Sequence, residues 1–337
     1  MHDFVTWEEQ IVYLEENGVN MMITFGIDVC KATLDVFTSK DKKHRQFPNT
    51  QEGIEELIKA YQSEEEKRVI IESTGVYQRL VHQLLSQAGF KVSLVNPFKS
   101  RNFARSGNFF AKTDKVDAKM LCAYGRSFSD QGIPLRESPY PSKQQEELDS
   151  LISYRNTLVE EKKRQQNQIE YDHPSAFIRT LIDKRIKDLE NDLQKIQQKI
   201  EELIESDDDF RSKKETLESV PGVGFGTVAT LLCYLPELGK ANRKEIAALV
   251  GVAPRNCESG AFRGRAMISG GRAHVRKALY MPILTCIRNN SVIKTLYDRL
   301  KKEGKPSKVA LIACMRKLLI ILNVMLKHNE PWRKKNA

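Results

Sequence analysis

From residue 23 the chain runs ITFGIDVCKATLDVFTS, an alternation of apolar and polar positions rich in β-branched and aromatic residues, with a polar step at Cys30–Lys31–Ala32. A period of two with that composition predicts a pair of strands over 23–39. The next segment, NTQEGIEELIKAYQSE, changes period: Ile54, Leu57, Ile58 and Tyr61 share one helical face behind a capping candidate, Asn49 or Thr50. KRVIIEST reads as a buried strand, VYQRLVHQLLSQAG as a helix ending in Gly89, and FKVSLVNP as a strand closed by Pro97. Strands alternating with helices imply a mixed α/β domain over 21–127.

Between Pro139 and Asp209 the composition shifts to Glu, Lys, Gln and Leu. There Leu189, Leu193, Ile196, Ile200 and Leu203 step by four, three, four and three, which is a heptad seam. A second helical segment at 144–171 and a break at His173–Pro174 predict an antiparallel hairpin, serving as a coiled-coil spacer or dimerisation arm. Next, LESVPGVGFGTVATLLCYL sets a glycine-rich turn between two helical segments. Gly222, Gly224 and Gly226 let the backbone approach a phosphate, as in a helix-hairpin-helix module. The longest apolar run, Val309 to Leu326, is interrupted by Arg316, Lys317 and Asn323 and is expected to be a core helix rather than a membrane span. The expected organisation is therefore an extension at 1–20, an α/β domain at 21–140, a helical arm at 141–212 and a mainly α-helical C-terminal domain at 213–337.

Charge changes this picture. The net charge is +10, but residues 241–337 carry 21 Lys and Arg against 5 Asp and Glu, while the preceding 240 residues are net negative by 6. A basic C-terminal third attached to an acidic body points to a polyanionic partner, most often nucleic acid. The six cysteines form no C-x-x-C pair, so a reduced cytosol and no cysteine-built zinc site are expected. The N-terminal MHDFVTWEEQIVYLEENG lacks the basic and apolar regions of a signal peptide.

Two constellations carry chemistry. Asp28 sits inside apolar FGIDV, Glu72 ends KRVIIE, and Asp114 with Asp117 lie three residues apart at the start of a helical stretch, so both can face one site. Buried carboxylates need compensation, and four of them suit Mg²⁺ or Mn²⁺ acting on a phosphodiester, with Lys112, Lys115 and Lys119 facing nucleic acid. Asp35 is expected to face outward. In APRNCESGAFRGRAMISGGRAHVRKALY, Arg255, Arg263, Arg265, Arg272 and Arg276 surround Ser259–Gly260 and Ser269–Gly270, and clustered guanidiniums can clamp a phosphate for attack by a serine. Ser-Gly steps are also ordinary turns, and neither a Ser-His-Asp spacing nor a G-x-S-x-G elbow is present.

The ordered set GIDVCKATLDV, IESTGVY, VNPFKSRNFARS, AKTDKVDA, PGVGFGTVATLL, LVGVAPRNCESG, RGRAMISGGRAHVRKALY and GKPSKVALIACMRKLLIILN resembles the insertion-sequence transposases of the IS-one-ten type, the DEDD transposases that include the Piv DNA invertases. GGRAHVRKALYM is similar to the IS-eleven-eleven subgroup, and the resemblance covers nearly everything from Met22 to Asn323. It implies a RuvC-like, ribonuclease H-like N-terminal domain whose acidic tetrad is Asp28, Glu72, Asp114 and Asp117. It also implies a C-terminal transposase domain with a nucleophilic serine, Ser259 at CESG, with Ser269 as the alternative. Further implications are a site composed between subunits, a transient covalent link to DNA, a guide RNA encoded by the element, donor and target DNA as substrates, a dimer or tetramer, and a bacterial cytoplasmic, nucleoid-associated location. The rival functions are a RuvC-like junction nuclease using activated water and a non-catalytic DNA-binding regulator. Residues 1–20 have no counterpart in the resemblance.

Overall fold

The computed structural model describes residues 22–333, apart from 64–65, 74, 108, 110–112, 134, 172–174, 257, 260–261 and 265. The N-terminal extension thus lies outside the described residues. The chain divides into two units, one up to Tyr140 and one from Pro141.

In the first unit the alternation over 23–39 becomes β1 (Ile23–Val29) and β2 (Thr33–Thr38), an antiparallel pair whose turn is held by the Cys30 N–H donating to the Thr33 carbonyl at 2.9 Å. β3 (His44–Pro48) follows as an edge strand. Thr50, rather than Asn49, caps α1 (Gln51–Ala60) by accepting from the Gly53 N–H. Then come β4 (Lys67–Glu72), α2 (Gln78–Gln87), β5 (Lys91–Val95), α3 (Pro97–Ser106) and α4 (Asp114–Asp130). Neither β3 nor α3 is anticipated from the sequence. β3 is a polar HRQFP stretch with no apolar alternation, and α3 begins at an Asn96 cap with Pro97 at its first position, in a segment of weak helical periodicity.

The sheet order is β3-β2-β1-β4-β5, with β1, β4 and β5 parallel and β2 and β3 antiparallel to their neighbours. One face buries Phe25, Ile27, Leu34, Val36, Val69 and Ile71 against Ile54 and Leu57 of α1 and Val81 and Leu85 of α2. The other face receives α4, and Gly26 makes this approach possible. A Cβ there would stand 2.1 Å from the Ala118 carbonyl oxygen and 2.3 Å from the Cys122 nitrogen. Those are backbone atoms that no rotamer change moves, so Gly26→Ala is expected to destabilise the first unit by about 3 kcal/mol. Denaturant unfolding of the variant checks this.

The second unit begins with α5 (Lys143–Tyr171) and α6 (Ala176–Ser206), two long helices packed antiparallel, with Lys162 paired to Glu190 at 2.7 Å and Arg185 to Glu161 at 2.8 Å. Along the seam read from the sequence, Leu189, Ile200 and Leu203 are buried and Leu193 and Ile196 half-buried. Leu148, Ile152, Ile200 and Ile204 join the same core as the helices that follow, so arm and C-terminal region share one unit. Those helices are α7 (Asp208–Glu218), α8 (Phe225–Tyr234), α9 (Arg243–Val250), α10 (Ala273–Ala278), α11 (Tyr280–Asn289), α12 (Ser291–Lys302) and α13 (Ser307–His328). α13 is long and apolar enough to cross a membrane by length and composition. Here it is a core helix: Cys314, Leu318 and Leu322 are fully buried, and buried Asn323 accepts from the Gly239 N–H at 2.8 Å and donates to the Ala241 carbonyl at 2.9 Å.

Candidate active site

Strand register brings the first carboxylates together. Asp28 of β1 stands in register with Asp35 of β2, and Glu72 of β4 lies one step beyond the Ile27–Ile71 pair. Alternation along β1 sets Asp28 on the side of Gly26, the side that α4 covers. α4 starts there, with Thr113 as its cap accepting from the Val116 N–H and with Asp114 and Asp117 in its first turn, where the partial positive charge of a helix start favours carboxylates. Glu72 is fixed by the fully buried Ser100 of α3, whose hydroxyl donates to Glu72 Oε2 at 2.6 Å.

Electrostatics register the convergence. Burial, then the charges of Asp117 and Asp114, and more weakly that of Glu72, push the Asp28 carboxyl from its ordinary 3.8 up to about 6. The other three acids of the sequence reading therefore act on Asp28. The ligating atoms of Asp28, Cys30 and Asp114 lie within 4.8 Å of one another. Asp28 and Asp114, close oxygen donors whose repulsion a cation would relieve, fit a hard divalent ion and would hold it; Glu72 and Asp117 lie outside that 4.8 Å group and reach Asp28 through their charge. Lys115 and Lys119 are exposed on α4, whereas Lys112 lies outside the described residues.

The raised Asp28 value has a consequence for the metal-free protein. A carboxyl that binds its proton more tightly folded than unfolded contributes stability that is complete below pH 3.8 and lost as pH rises through about 6. Buried His82, whose pKa burial lowers, acts in the opposite direction. The observable is therefore the difference between variants. Without divalent ions, wild type is expected to lose melting temperature relative to Asp28→Asn between pH 4 and about 7. Thermal melts in chelator check this.

Asp35 corrects the sequence expectation. It does not face outward: it is 2% exposed, 2.7 Å from His44 Nε2, with Gln46 Nε2 3.3 Å from each of its oxygens. The reason is register. Asp35 shares Asp28's face, and the unanticipated strand β3 supplies its polar partners. Ser100 and Cys30 were also missed. Nothing local to Ser100 announces a contact 28 residues away, while Cys30 could have been found two positions after Asp28.

In the second unit β6 (Pro254–Arg255) pairs antiparallel with β9 (Met267–Ile268), and β7 (Glu258–Ser259) pairs antiparallel with β8 (Phe262–Arg263). Ser259 ends β7, and Ser269 directly follows β9. For Ser259 and Arg263 the backbone alone is described, and Arg265 lies outside the described residues. The segment after Ser269 is clamped by close backbone contact. A Cβ on Gly251 would meet the Gly270 carbonyl oxygen at 2.2 Å, and one on Gly271 would meet the Gly251 nitrogen at 2.3 Å. Arg276 donates to the carbonyls of Val250 at 2.9 Å and Gly270 at 2.8 Å, and Arg272 makes a two-pronged pair with Glu237 and donates to the Tyr234 carbonyl at 2.9 Å. These two arginines, grouped by sequence with the phosphate contacts, are engaged within the fold, whereas Arg255 is exposed. Gly222, at φ +97°, is likewise a packing residue: a Cβ there would approach the Cys286 nitrogen to 3.0 Å. Gly224 starts α8 in open space.

Residues 25–171 match a transposase family model of the DEDD IS110 type, and residues 214–298 match that of the Transposase IS116/IS110/IS902 family. The pilin gene-inverting protein of Moraxella lacunata is 29% identical over 92% of this chain and 97% of its own length, and that of Moraxella bovis is 28% identical over the same shares. An uncharacterized insertion element IS110 protein of Streptomyces coelicolor is 29% identical over 33% of this chain and 28% of its own. Among solved structures, a RuvC chain from T. thermophilus in complex with a Holliday junction substrate aligns over 34% of this chain and 99% of its own at 10% identity, with a TM-score of 0.27. Two family models over successive stretches of the chain, and relatives matched along nearly their whole length, agree with the ordered motifs: the chain belongs to the IS110 family, as a DNA transposase of the site-specific recombinase kind.

Proposed function

We propose that the chain cuts and rejoins donor and target DNA through a covalent serine intermediate. The first unit is its RuvC-like nuclease domain, and the second supplies the nucleophile. What supports this reading is that ligating atoms of Asp28 and Asp114 lie within 4.8 Å of each other and that the charges of Asp117, Asp114 and Glu72 all raise the Asp28 carboxyl. A bound Mg²⁺ or Mn²⁺ would stabilise charge on the attacking and leaving oxygens of a phosphodiester. Ser259 Oγ attacks phosphorus, an oxygen–phosphorus bond forms, and the strand's own oxygen leaves. A hydroxyl of the exchanged strand then attacks the phosphoserine and frees the serine. The place of Ser259 at the end of β7 supports its choice, because it stands apart in sequence from the clamped glycines that follow Ser269. Ser269, next to packed Gly270 and Gly271, suits a turn.

The surplus of 16 positive charges in residues 241–337 supports binding of DNA and of an element-encoded guide RNA, with Lys115, Lys119, Gly224 and Arg255 among the backbone contacts. The turn before α8 would act as a helix-hairpin-helix-like element. The α5–α6 pair would serve as a coiled-coil dimerisation arm, supported by exposed Phe177, Ile178 and Leu181. The working location is the bacterial nucleoid.

A suicide substrate, nicked so that the cut strand cannot religate, tests the reading. Incubation with Mg²⁺ should leave a protein–DNA adduct that survives denaturation. Cleavage without an adduct would favour a junction nuclease using water, and binding without cleavage a regulator.

A further inference from the structure

We propose that Cys30 is a soft donor at the carboxylate site, and that Asp28, Cys30 and Asp114 together bind a thiophilic divalent ion such as Zn²⁺ or Cd²⁺ in place of the hard ion the reaction uses. The inference rests on the reading of the carboxylates as a metal site and extends it to metal choice, which the acidic tetrad does not address. Three observations carry it.

First, the Cys30 Sγ, an Asp28 oxygen and an Asp114 oxygen lie within 4.8 Å of one another, close enough for one ion to touch all three after small side-chain rotations. Second, the thiol is mounted on fixed backbone. The Cys30 N–H donates to the Thr33 carbonyl at 2.9 Å and closes the β1–β2 turn, and the Cys30 carbonyl accepts from Asn49 Nδ2 at 2.9 Å. The same Asn49 amide reaches the Tyr77 carbonyl at 3.2 Å, tying the turn to the segment that precedes α2. Third, Cys30 is accessible. It is half-exposed, whereas Cys122, Cys233, Cys286 and Cys314 are buried.

The donor set then sorts ions by softness. Mg²⁺ takes oxygen ligands and keeps its waters, so it is held by the carboxylates and gains little from sulfur. Zn²⁺ and Cd²⁺ accept two oxygens and a thiolate at once. On binding, the thiol gives its proton to solvent and the sulfur becomes an anionic ligand; no oxidant or reductant is involved. Because Asp28 and Asp114 serve both kinds of ion, the two cannot be held together, and a thiophilic ion competes directly with the one that supports strand cleavage.

The experiment is a Cd²⁺ titration of the full-length protein, read by the near-ultraviolet thiolate-to-metal charge-transfer absorption, in wild type, Cys30→Ser and Asp114→Asn. Wild type should show the band; Cys30→Ser, which keeps the other five cysteines, should lose it and bind Cd²⁺ at least about tenfold more weakly. Asp114→Asn should weaken Cd²⁺ on a similar scale. A measurement that needs no variant runs beside it: alkylation of wild-type Cys30 by iodoacetamide, followed by peptide mass spectrometry, should slow when Cd²⁺ is present. An unchanged band and affinity in Cys30→Ser, or alkylation indifferent to Cd²⁺, would overturn the proposal. Mn²⁺ binding followed by electron paramagnetic resonance separates the two readings. If wild type binds Mn²⁺ in an Asp114-dependent way and Cd²⁺ gives no thiolate band, this inference fails alone. If Mn²⁺ binding ignores Asp114, the carboxylate site fails with it.

Discussion

Asp114→Asn and Asp117→Asn are each expected to lower strand cleavage by about a thousand-fold or more while leaving the fold and nucleic-acid binding largely intact. The substitution keeps side-chain size and one oxygen but removes a charge. In the first turn of α4 that charge is one of those raising Asp28 to about 6, so its loss both deletes an anionic ligand and relaxes the repulsion that draws a cation. The helix start should tolerate the change, because its cap is Thr113 and not either aspartate. In metal-free protein the same variants lose a like-charge neighbour of Asp28 and also a carboxylate favoured at the helix start, so their stability should stay close to that of wild type. Retained stability with lost cleavage separates a metal-site role from a structural one. The checks are cleavage of a labelled substrate, a band-shift assay, and melts with and without Mg²⁺. Full cleavage by either variant would move the metal site elsewhere.

Ser259→Ala is expected to abolish both the covalent adduct and recombinant product, by at least about 10⁴-fold, the scale on which loss of a covalent nucleophile acts. One oxygen is removed at the end of the short strand β7, so DNA binding should survive. Ser269→Ala is the control. It directly precedes Gly270 and Gly271, which take left-handed φ values of +66° and +70°, and Arg276 holds the Gly270 carbonyl, so its loss should leave adduct formation intact. Denaturing gels of a nicked, end-labelled substrate read both variants. An adduct that survives in Ser259→Ala and disappears in Ser269→Ala would move the nucleophile ten residues along the chain. One that survives in both would remove serine from the chemistry.

Much of the candidate site is legible in the sequence because its signals are local. An acid inside FGIDV and another after VII break apolar runs, and the three-residue spacing of Asp114 and Asp117 places both on one helical face without any knowledge of the sheet. The cap before α1 and the helical character of Leu189 to Leu203 were readable for the same reason, since each depends on neighbours within one or two turns. What was missed depends on partners far along the chain. Asp35 looks like one more polar position in an alternating strand until β3 pairs beside it and brings His44 and Gln46 within reach. Arg272 and Arg276 carry the composition of a phosphate clamp, and only the packing of the 270–276 segment on α9 and on Glu237 engages them elsewhere. Gly222 belongs to a motif suited to a phosphate, yet its bare Cα faces Cys286 of α11.

By itself the sequence determined the alternation of strands and helices in the first unit, the long helices that open the second, the four acids and the charge that draws nucleic acid, because period, composition and short-range spacing act through the nearest few residues. Tertiary structure alone decided which acids share a face, that Ser100 fixes Glu72 and that Cys30 stands with Asp28 and Asp114. The first and third of those relations follow from the parallel register of β1 with β4 and from the close seat that Gly26 gives α4, pairings between residues some 40 to 100 positions apart, while Ser100 reaches Glu72 across 28 positions; no local preference encodes either.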